Sequence, residues 1–131
     1  MSYKKNKQIV KSKSFKPLVW ICKSLFLNFK IYSDFTIVES KLFFNKSEIL
    51  KQGNLLLNGY KLNTLKFKII YIFENKKNQV KMFNPNTDFL VIKVPSNCFK
   101  LIIKSSVKLN PKTNYSLEGF YESNNMFCTQ C

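Results

Sequence analysis

The stretch KFKIIYIF, residues 66–73, decides the fold class of this chain. Phe67, Ile69, Tyr71 and Phe73 recur at every second position, with Lys and Ile between them. A period of two residues places these four side chains on one face of a β-strand. Aromatic and β-branched residues also favour strands over helices. Residues 66–73 therefore predict a strand with one buried face.

The same alternation occurs upstream of this stretch. Residues 25–31 and residues 35–44 are each rich in aromatic and aliphatic side chains, and Ser33-Asp34 between them favours a turn. We predict an antiparallel hairpin here. One face of its first strand is expected to carry Leu25, Leu27, Phe29 and Ile31.

Between that hairpin and residues 66–73, the sequence reads LLLNG at residues 55–59. Asn-Gly suits a type I′ turn, because both central residues of that turn need a positive φ. We therefore predict a tight β-hairpin turn at Asn58-Gly59.

Downstream of residues 66–73, polar turns at 75–78 and 84–88 precede a strand at 90–94 and a further alternating strand at 99–103. Pro111 and its Asn neighbours break the pattern. No window shows sustained helical periodicity. Short strands about ten residues apart predict an all-β antiparallel domain over residues 15–131. Residues 1–14, with five Lys, are expected to form a flexible basic tail.

The charge balance points in two directions. The 131 residues carry 22 Lys+Arg against 7 Asp+Glu, a formal net charge of +15, which suits an acidic partner. However, Arg, Ala and His are absent while Lys and Asn abound, as A- and T-rich codons would produce. We therefore do not expect nucleic acid as the partner on charge alone. A stand-alone basic module that binds RNA or another acidic partner stays open as the alternative.

The composition also excludes several kinds of site. Without His, the chain has no Ser-His-Asp or Cys-His nucleophile and no His-Glu-x-x-His zinc helix. Three Gly are too few for a phosphate-cradling loop. We expect no catalytic residue and no metal ligand in this chain. The aromatic side chains are assigned to core packing, since base stacking needs exposed aromatics on a basic surface.

The cysteines and the apolar segments indicate a compartment. Cys128 and Cys131 form one C-x-x-C pair without a second pair, and the chain shows no secretory signal. Residues 17–29 are apolar but interrupted by Lys23 and too short to cross a bilayer. Reduced thiols in the cytoplasm, with no membrane role, are the expectation.

The C-terminal residues carry a resemblance to a known family. Residues 114–123 read NYSLEGFYES, and residues 127–131 read FCTQC. This spacing resembles the aminopeptidase N (alanyl aminopeptidase) family of zinc metallopeptidases, in which Asn-x-x-Leu-Glu-Gly precedes Cys-Thr-Gln-Cys-Glu. The leucines and Asn-Gly of residues 55–59, the strand at 99–103 and the hairpin at 25–44 are similar to upstream parts of the family pattern.

The resemblance implies an N-terminal domain, a saddle of antiparallel sheets, that caps a catalytic domain. In the intact family enzyme a His-Glu-x-x-His helix and a downstream Glu hold Zn²⁺, and the enzyme removes N-terminal amino acids from peptides. Those residues belong to the catalytic domain. This chain alone is therefore expected to be inactive, with a peptide substrate bound only by the intact enzyme. A separate polypeptide with the catalytic domain is a further expected partner.

The resemblance also implies one site residue. By position, Gln130 matches the family residue that lines the pocket for the first side chain of the substrate. The family's next important position, an acidic residue that binds the substrate's amino group, would follow Cys131, where the sequence ends. From this we expect a β domain truncated at its C-terminal end, with an incomplete substrate site.

Overall fold

The computed structural model describes residues 12, 15–50, 52–59, 62–85 and 87–130. Apart from Ser12, the predicted tail of residues 1–14 lies outside the described residues, as does Cys131. The elements, in chain order, are β1 (Trp20–Ile31), β2 (Thr36–Lys46), β3 (Leu55–Asn58), β4 (Asn63–Phe73), β5 (Gln79–Met82), β6 (Phe89–Ile92), β7 (Cys98–Leu109), a 3₁₀ helix (Pro111–Thr113), β8 (Gly119–Ser123) and β9 (Met126–Gln130).

The strands form three antiparallel sheets. The main sheet has five strands in the order β1-β2-β7-β4-β5, and two-stranded sheets pair β3 with β6 and β8 with β9. The predicted all-β antiparallel class is confirmed. Of the described residues, none belongs to a helix that could reach across a bilayer.

The core lies between the main sheet and the β3–β6 sheet. The alternation of residues 66–73 behaves as predicted, since Phe67, Ile69, Tyr71 and Phe73 are all buried in β4. Leu101 and Ile103 of β7 lie beside them, and the covering sheet contributes Leu55 and Ile92, among others. The buried cluster places the core at the middle of the main sheet, because strands β7 and β4 have neighbours on both sides.

Trp20 joins the two layers of the core. It is 3% exposed, and its indole Nε1–H donates a hydrogen bond of 2.9 Å to the carbonyl oxygen of Gly53. A Cβ atom at Gly53 would come within 2.5 Å of the Val19 side chain, so only glycine allows this close approach. Trp20 is thus a core residue whose polar atom has a hydrogen-bond partner.

The prediction of a β-hairpin turn at Asn58-Gly59 is wrong. β3 does not pair with the next strand, β4, but with β6, which comes 30 or more residues later; Leu55 lies opposite Ile92. Neither Asn58 nor Gly59 has a positive φ, and the Gly59 amide donates to the carbonyl oxygen of Asp88 at 2.7 Å. Leu55 of β3 is buried in the core because β3 lies with β6 in the covering layer and not beside β4.

The hairpin of β1 and β2 is confirmed, but β1 is covered less than its alternating pattern suggests. Its side chains at Leu25, Leu27, Phe29 and Ile31 share the core face, yet they are 40% to 52% exposed. The reason is position, because β1 is an edge strand of the main sheet and the small β3–β6 sheet packs over the central strands. Phe26, on the other face, is 62% exposed.

Candidate functional site

The segment that carries the family-like motif folds as one unit after the main sheet. The 3₁₀ helix at Pro111–Thr113 is capped by the Asn110 side chain, which accepts a hydrogen bond of 3.1 Å from the Lys112 amide. Pro111 is suited to the start of this helix because its φ is already fixed. The N–H that proline lacks would have no hydrogen-bond partner within the helix at this position. The chain then turns through residues 114–118 into the β8–β9 hairpin.

Asn114 organises this turn. Its Nδ2 atom donates to the carbonyl oxygens of Glu118 at 2.8 Å and Phe120 at 2.9 Å. Its Oδ1 atom accepts from the Ser116 hydroxyl at 2.7 Å. A carboxamide is suited to this arrangement because it offers two donors and an acceptor on one short side chain. Asn114 therefore fixes the chain that follows it up to the start of β8.

The turn contains two residues with unusual backbone angles. Leu117 has φ 58° and Gly119 has φ 75°. Glycine adopts a positive φ without cost, whereas a branched residue such as leucine does so only when its surroundings impose it. The Asn114 hydrogen bonds to the backbone after Leu117 supply that constraint. The Leu-Glu-Gly spacing therefore describes a tight turn held by Asn114.

The hairpin itself is closed by Asn124 and Asn125. Ser123 pairs with Met126, and the two central residues have φ values of 49° and 61°. Positive φ at both central positions is what a type I′ turn requires, and Asn tolerates it better than most residues. This turn was not predicted from the sequence, although Asn-Asn between two short strands was the available signal.

The hairpin packs against the exposed edge strand through aromatic rings. The ring centroids of Phe29 in β1 and Phe120 in β8 are 5.4 Å apart, and Phe120 stacks on Phe127 of β9 with centroids 5.5 Å apart and an angle of 16°. Such contacts contribute about 0.5–1.5 kcal/mol each beyond the area that they bury. The three rings attach the hairpin to the end of β1.

Gln130 ends β9, opposite Gly119 of β8, and its side chain is exposed. Five clefts among the described residues are lined by other residues, and Gln130 borders none of these five. Its role in lining a substrate pocket is therefore still a prediction. Cys128, two residues before it, is partly buried with a free thiol, and the partner predicted for the C-x-x-C pair, Cys131, lies outside the described residues.

The other described cysteines, Cys98 and Cys22, are free thiols. Cys98 is completely buried, and its Sγ donates to the Lys100 carbonyl oxygen at 3.2 Å. Burial raises the pKa of the Cys98 thiol and also that of the Tyr71 hydroxyl in the same core cluster. A buried thiol with a raised pKa is a poor nucleophile. Cys22 is exposed on the edge strand β1.

Metal-binding side chains do not gather in the described part of the chain. No group of three Cys, Asp or Glu side chains comes together there. One carboxylate oxygen, Oε2 of Glu122, is buried without a hydrogen-bond partner among the described residues, but no second ligand type accompanies it in a cluster. The described residues therefore do not fit a zinc ion by themselves.

The comparisons with known proteins bear on the fold. No protein-family model matches the chain. Among solved structures, the fold is similar to part of an aminopeptidase A from Legionella pneumophila, whose crystal structure is a complex with aspartic acid. The TM-score is 0.62 at 17% sequence identity, and the match covers 86% of this chain but 13% of the other. At this identity the likeness shows the fold, which this chain shares with a small part of an aminopeptidase.

Proposed function

We propose that this chain is the non-catalytic N-terminal β domain of a zinc aminopeptidase of the aminopeptidase N type. The intact enzyme would remove N-terminal amino acids from peptides in the cytoplasm. The observation that carries the proposal is the unit formed by residues 114–130. Its Asn, Leu-Glu-Gly and Cys-Thr-Gln residues, which carry the resemblance, form one turn and one hairpin on a fold similar to part of an aminopeptidase.

In this proposal, Gln130 contacts the first side chain of the peptide. It stands at the end of β9 with its carboxamide exposed, free to donate and accept hydrogen bonds. The turn held by Asn114 and the closing Asn124-Asn125 turn set the position of both strands, which is what a specificity residue needs. A neutral amide would discriminate among side chains by hydrogen bonding and shape.

The zinc ion and the catalytic residues would belong to another part of the enzyme. The sequence has no His, and the described residues bring no three metal ligands together. When bound, zinc in such an enzyme activates water for attack on the peptide bond. This chain would contribute substrate contacts and would dock against the domain, or the separate polypeptide, that holds the metal.

A chimera tests the proposal. The part of an active aminopeptidase that aligns with this fold is replaced by residues 15–131 of this chain, and kcat/KM is measured for amides that differ in their first amino acid. We expect the chimera to release N-terminal residues. Gln130→Ala should change the relative kcat/KM among substrates by roughly ten-fold, the value of about one hydrogen-bonded contact.

The matched control is Gln79→Ala, because Gln79 is also an exposed glutamine in a short strand, but in β5. It should leave the order of substrates unchanged. A folded, zinc-loaded chimera whose substrate preferences are unaffected by Gln130→Ala contradicts the site assignment. A folded chimera that binds zinc but cleaves nothing contradicts the domain assignment.

A further inference from the structure

A row of side chains crosses the main sheet on the face away from the core. The register places Phe26 opposite Lys41, Lys41 opposite Lys104, Lys104 opposite Lys68, and Lys68 opposite Met82. Directly opposite residues of antiparallel strands lie on the same face. The neighbouring row, Leu42 with Ile103 and Ile69, faces the core, so this one faces outward. Five strands thus align three lysines between two apolar side chains.

Three lysines side by side carry a cost. Like charges directly opposite each other on neighbouring strands destabilise a sheet, because their Cβ atoms lie about 5 Å apart. The nearby carboxylate of Glu39 forms a salt bridge with Lys30 at 2.7 Å and also accepts from Asn28 at 3.1 Å. Glu39 is thus already bound by residues of β1. The positive row has no carboxylate of its own among the described residues.

A- and T-rich codons would account for the frequency of lysine, but not for this alignment. The row also borders a groove of about 600 Å³ on the outer face of the sheet. Its lining includes Phe26, Lys41, Lys66, Lys68, Met82 and Lys104, and also Glu39, so that four lysines and one carboxylate line it. A concave basic groove suits a chain-like anion better than a flat surface.

Aromatic exposure indicates which anion. Phe26 is 62% exposed at one end of the row, and its ring contacts Phe43 edge to face with centroids 5.9 Å apart. The Lys41 ammonium lies 4.8 Å from the centre of the Phe43 ring. Exposed aromatics beside aligned cations are how proteins bind single-stranded nucleic acid without reading its sequence. Lysines suffice for this, since phosphates need only point charges, whereas guanine recognition favours arginine.

We propose that this outer groove binds single-stranded nucleic acid, with phosphates along Lys41, Lys104 and Lys68 and a base stacked on Phe26. The proposal is independent of the aminopeptidase assignment. The composition argued against nucleic acid because Arg is absent and A- and T-rich codons would account for the lysines. The cross-strand register brings the three lysines together, and Phe26 is exposed at one end of their row.

The test uses the full chain and a fluorescein-labelled oligothymidylate of about 12 nucleotides. This length is within the roughly 4–16 nucleotides that one single-strand-binding β domain of the OB-fold type covers. Fluorescence anisotropy gives the affinity between about 50 and 200 mM salt. Each phosphate contact to a single strand contributes about 0.7 to the slope of log affinity against log salt. The triple variant Lys41→Gln/Lys68→Gln/Lys104→Gln should therefore lower the slope by about 2.

The control triple, Lys76→Gln/Lys77→Gln/Lys93→Gln, removes the same charge outside the groove and should change the slope by less than about 0.7, one contact. Lys104→Gln alone should lower it by about 0.7, which keeps the test valid if the triple variant fails to fold. Phe26→Ser should weaken binding by roughly five-fold or more, the value of one stacked base. Phe89→Ser, at a residue that is similarly exposed but lies in β6, should not.

Three results would overturn the proposal. Equal loss in both lysine triples would show that net charge alone attracts the oligonucleotide. Displacement of the oligonucleotide by polyglutamate of matched charge, with no effect of Phe26→Ser, would mean that the partner is an acidic protein. Tighter binding to phosphatidylserine vesicles than to the oligonucleotide would mean that the partner is a membrane surface.

Discussion

Asn114→Asp changes one atom type in the turn that precedes the β8–β9 hairpin, and its effect can be worked out from the structure. The native Nδ2 donates to two carbonyl oxygens, those of Glu118 and Phe120, at 2.8 and 2.9 Å. In the aspartate variant an oxygen faces both carbonyls, while the second oxygen can still accept from Ser116. Both donations are lost and their acceptors now face a negative charge.

The expected magnitude is about 2 kcal/mol. Each hydrogen bond contributes about 0.5–1.5 kcal/mol net, and the half-buried position lets water replace part of the loss. The β8–β9 sheet contacts the rest of the described structure mainly through the 3₁₀ helix and the Phe29–Phe120 contact, so it should open locally rather than unfold the core. A loss of about 2 kcal/mol corresponds to a roughly 30-fold larger equilibrium constant for opening.

Hydrogen exchange separates the local effect from the global one. Amides of β8 and β9 should exchange about 30-fold faster in Asn114→Asp, while Ile69 and Leu101 in the buried cluster should exchange at nearly the native rate. Asn78→Asp is the matched control, because Asn78 lies exposed in the β4–β5 turn and the charge changes equally. Unchanged exchange in β8–β9 would refute the role of Asn114, as would equal effects of both variants.

Three further predictions concern the free energy of global unfolding or of local opening. Thr36 is 0% exposed and its hydroxyl has no hydrogen-bond partner among the described residues, so Thr36→Val should stabilise by about 1 kcal/mol; a lower urea midpoint would contradict this. Leu117→Gly should slow exchange across the turn, because it relieves about 1 kcal/mol of strain at φ 58°; faster exchange would mean that the leucine side chain holds the turn. Burial raises the pKa of Cys98 and of Tyr71 above their ordinary values of 9.0 and 10.0, so the fold favours their neutral forms. The free energy of unfolding should therefore be constant at neutral pH and fall as the pH rises above about 9, with a smaller fall in Cys98→Val; thermal melts at stepped pH measure it.

The candidate site shows what a motif can and cannot convey. The spacing of residues 114–131 was enough to suggest a family and to single out Gln130. It did not reveal that Asn114 holds the backbone of Glu118 and Phe120, nor that Phe29, about 90 residues earlier, receives the hairpin. Those contacts join distant parts of the chain, and no local pattern records them.

The sequence by itself determined the strands with a clear alternation and the apolar side of each, because alternation is a local property of neighbouring residues. That is why residues 66–73 and the β1–β2 hairpin were predicted correctly. The sequence did not predict β5, β8 or β9. Only the tertiary structure decided the partners. β3 pairs with β6 although strands β4 and β5 come between them in the chain. β1 stays exposed at an edge, and Lys41, Lys104 and Lys68 meet in one row. Strand pairing and the burial of each face depend on which distant parts of the chain pack together. A period of two residues shows which face of a strand is apolar, but not which surface packs against it.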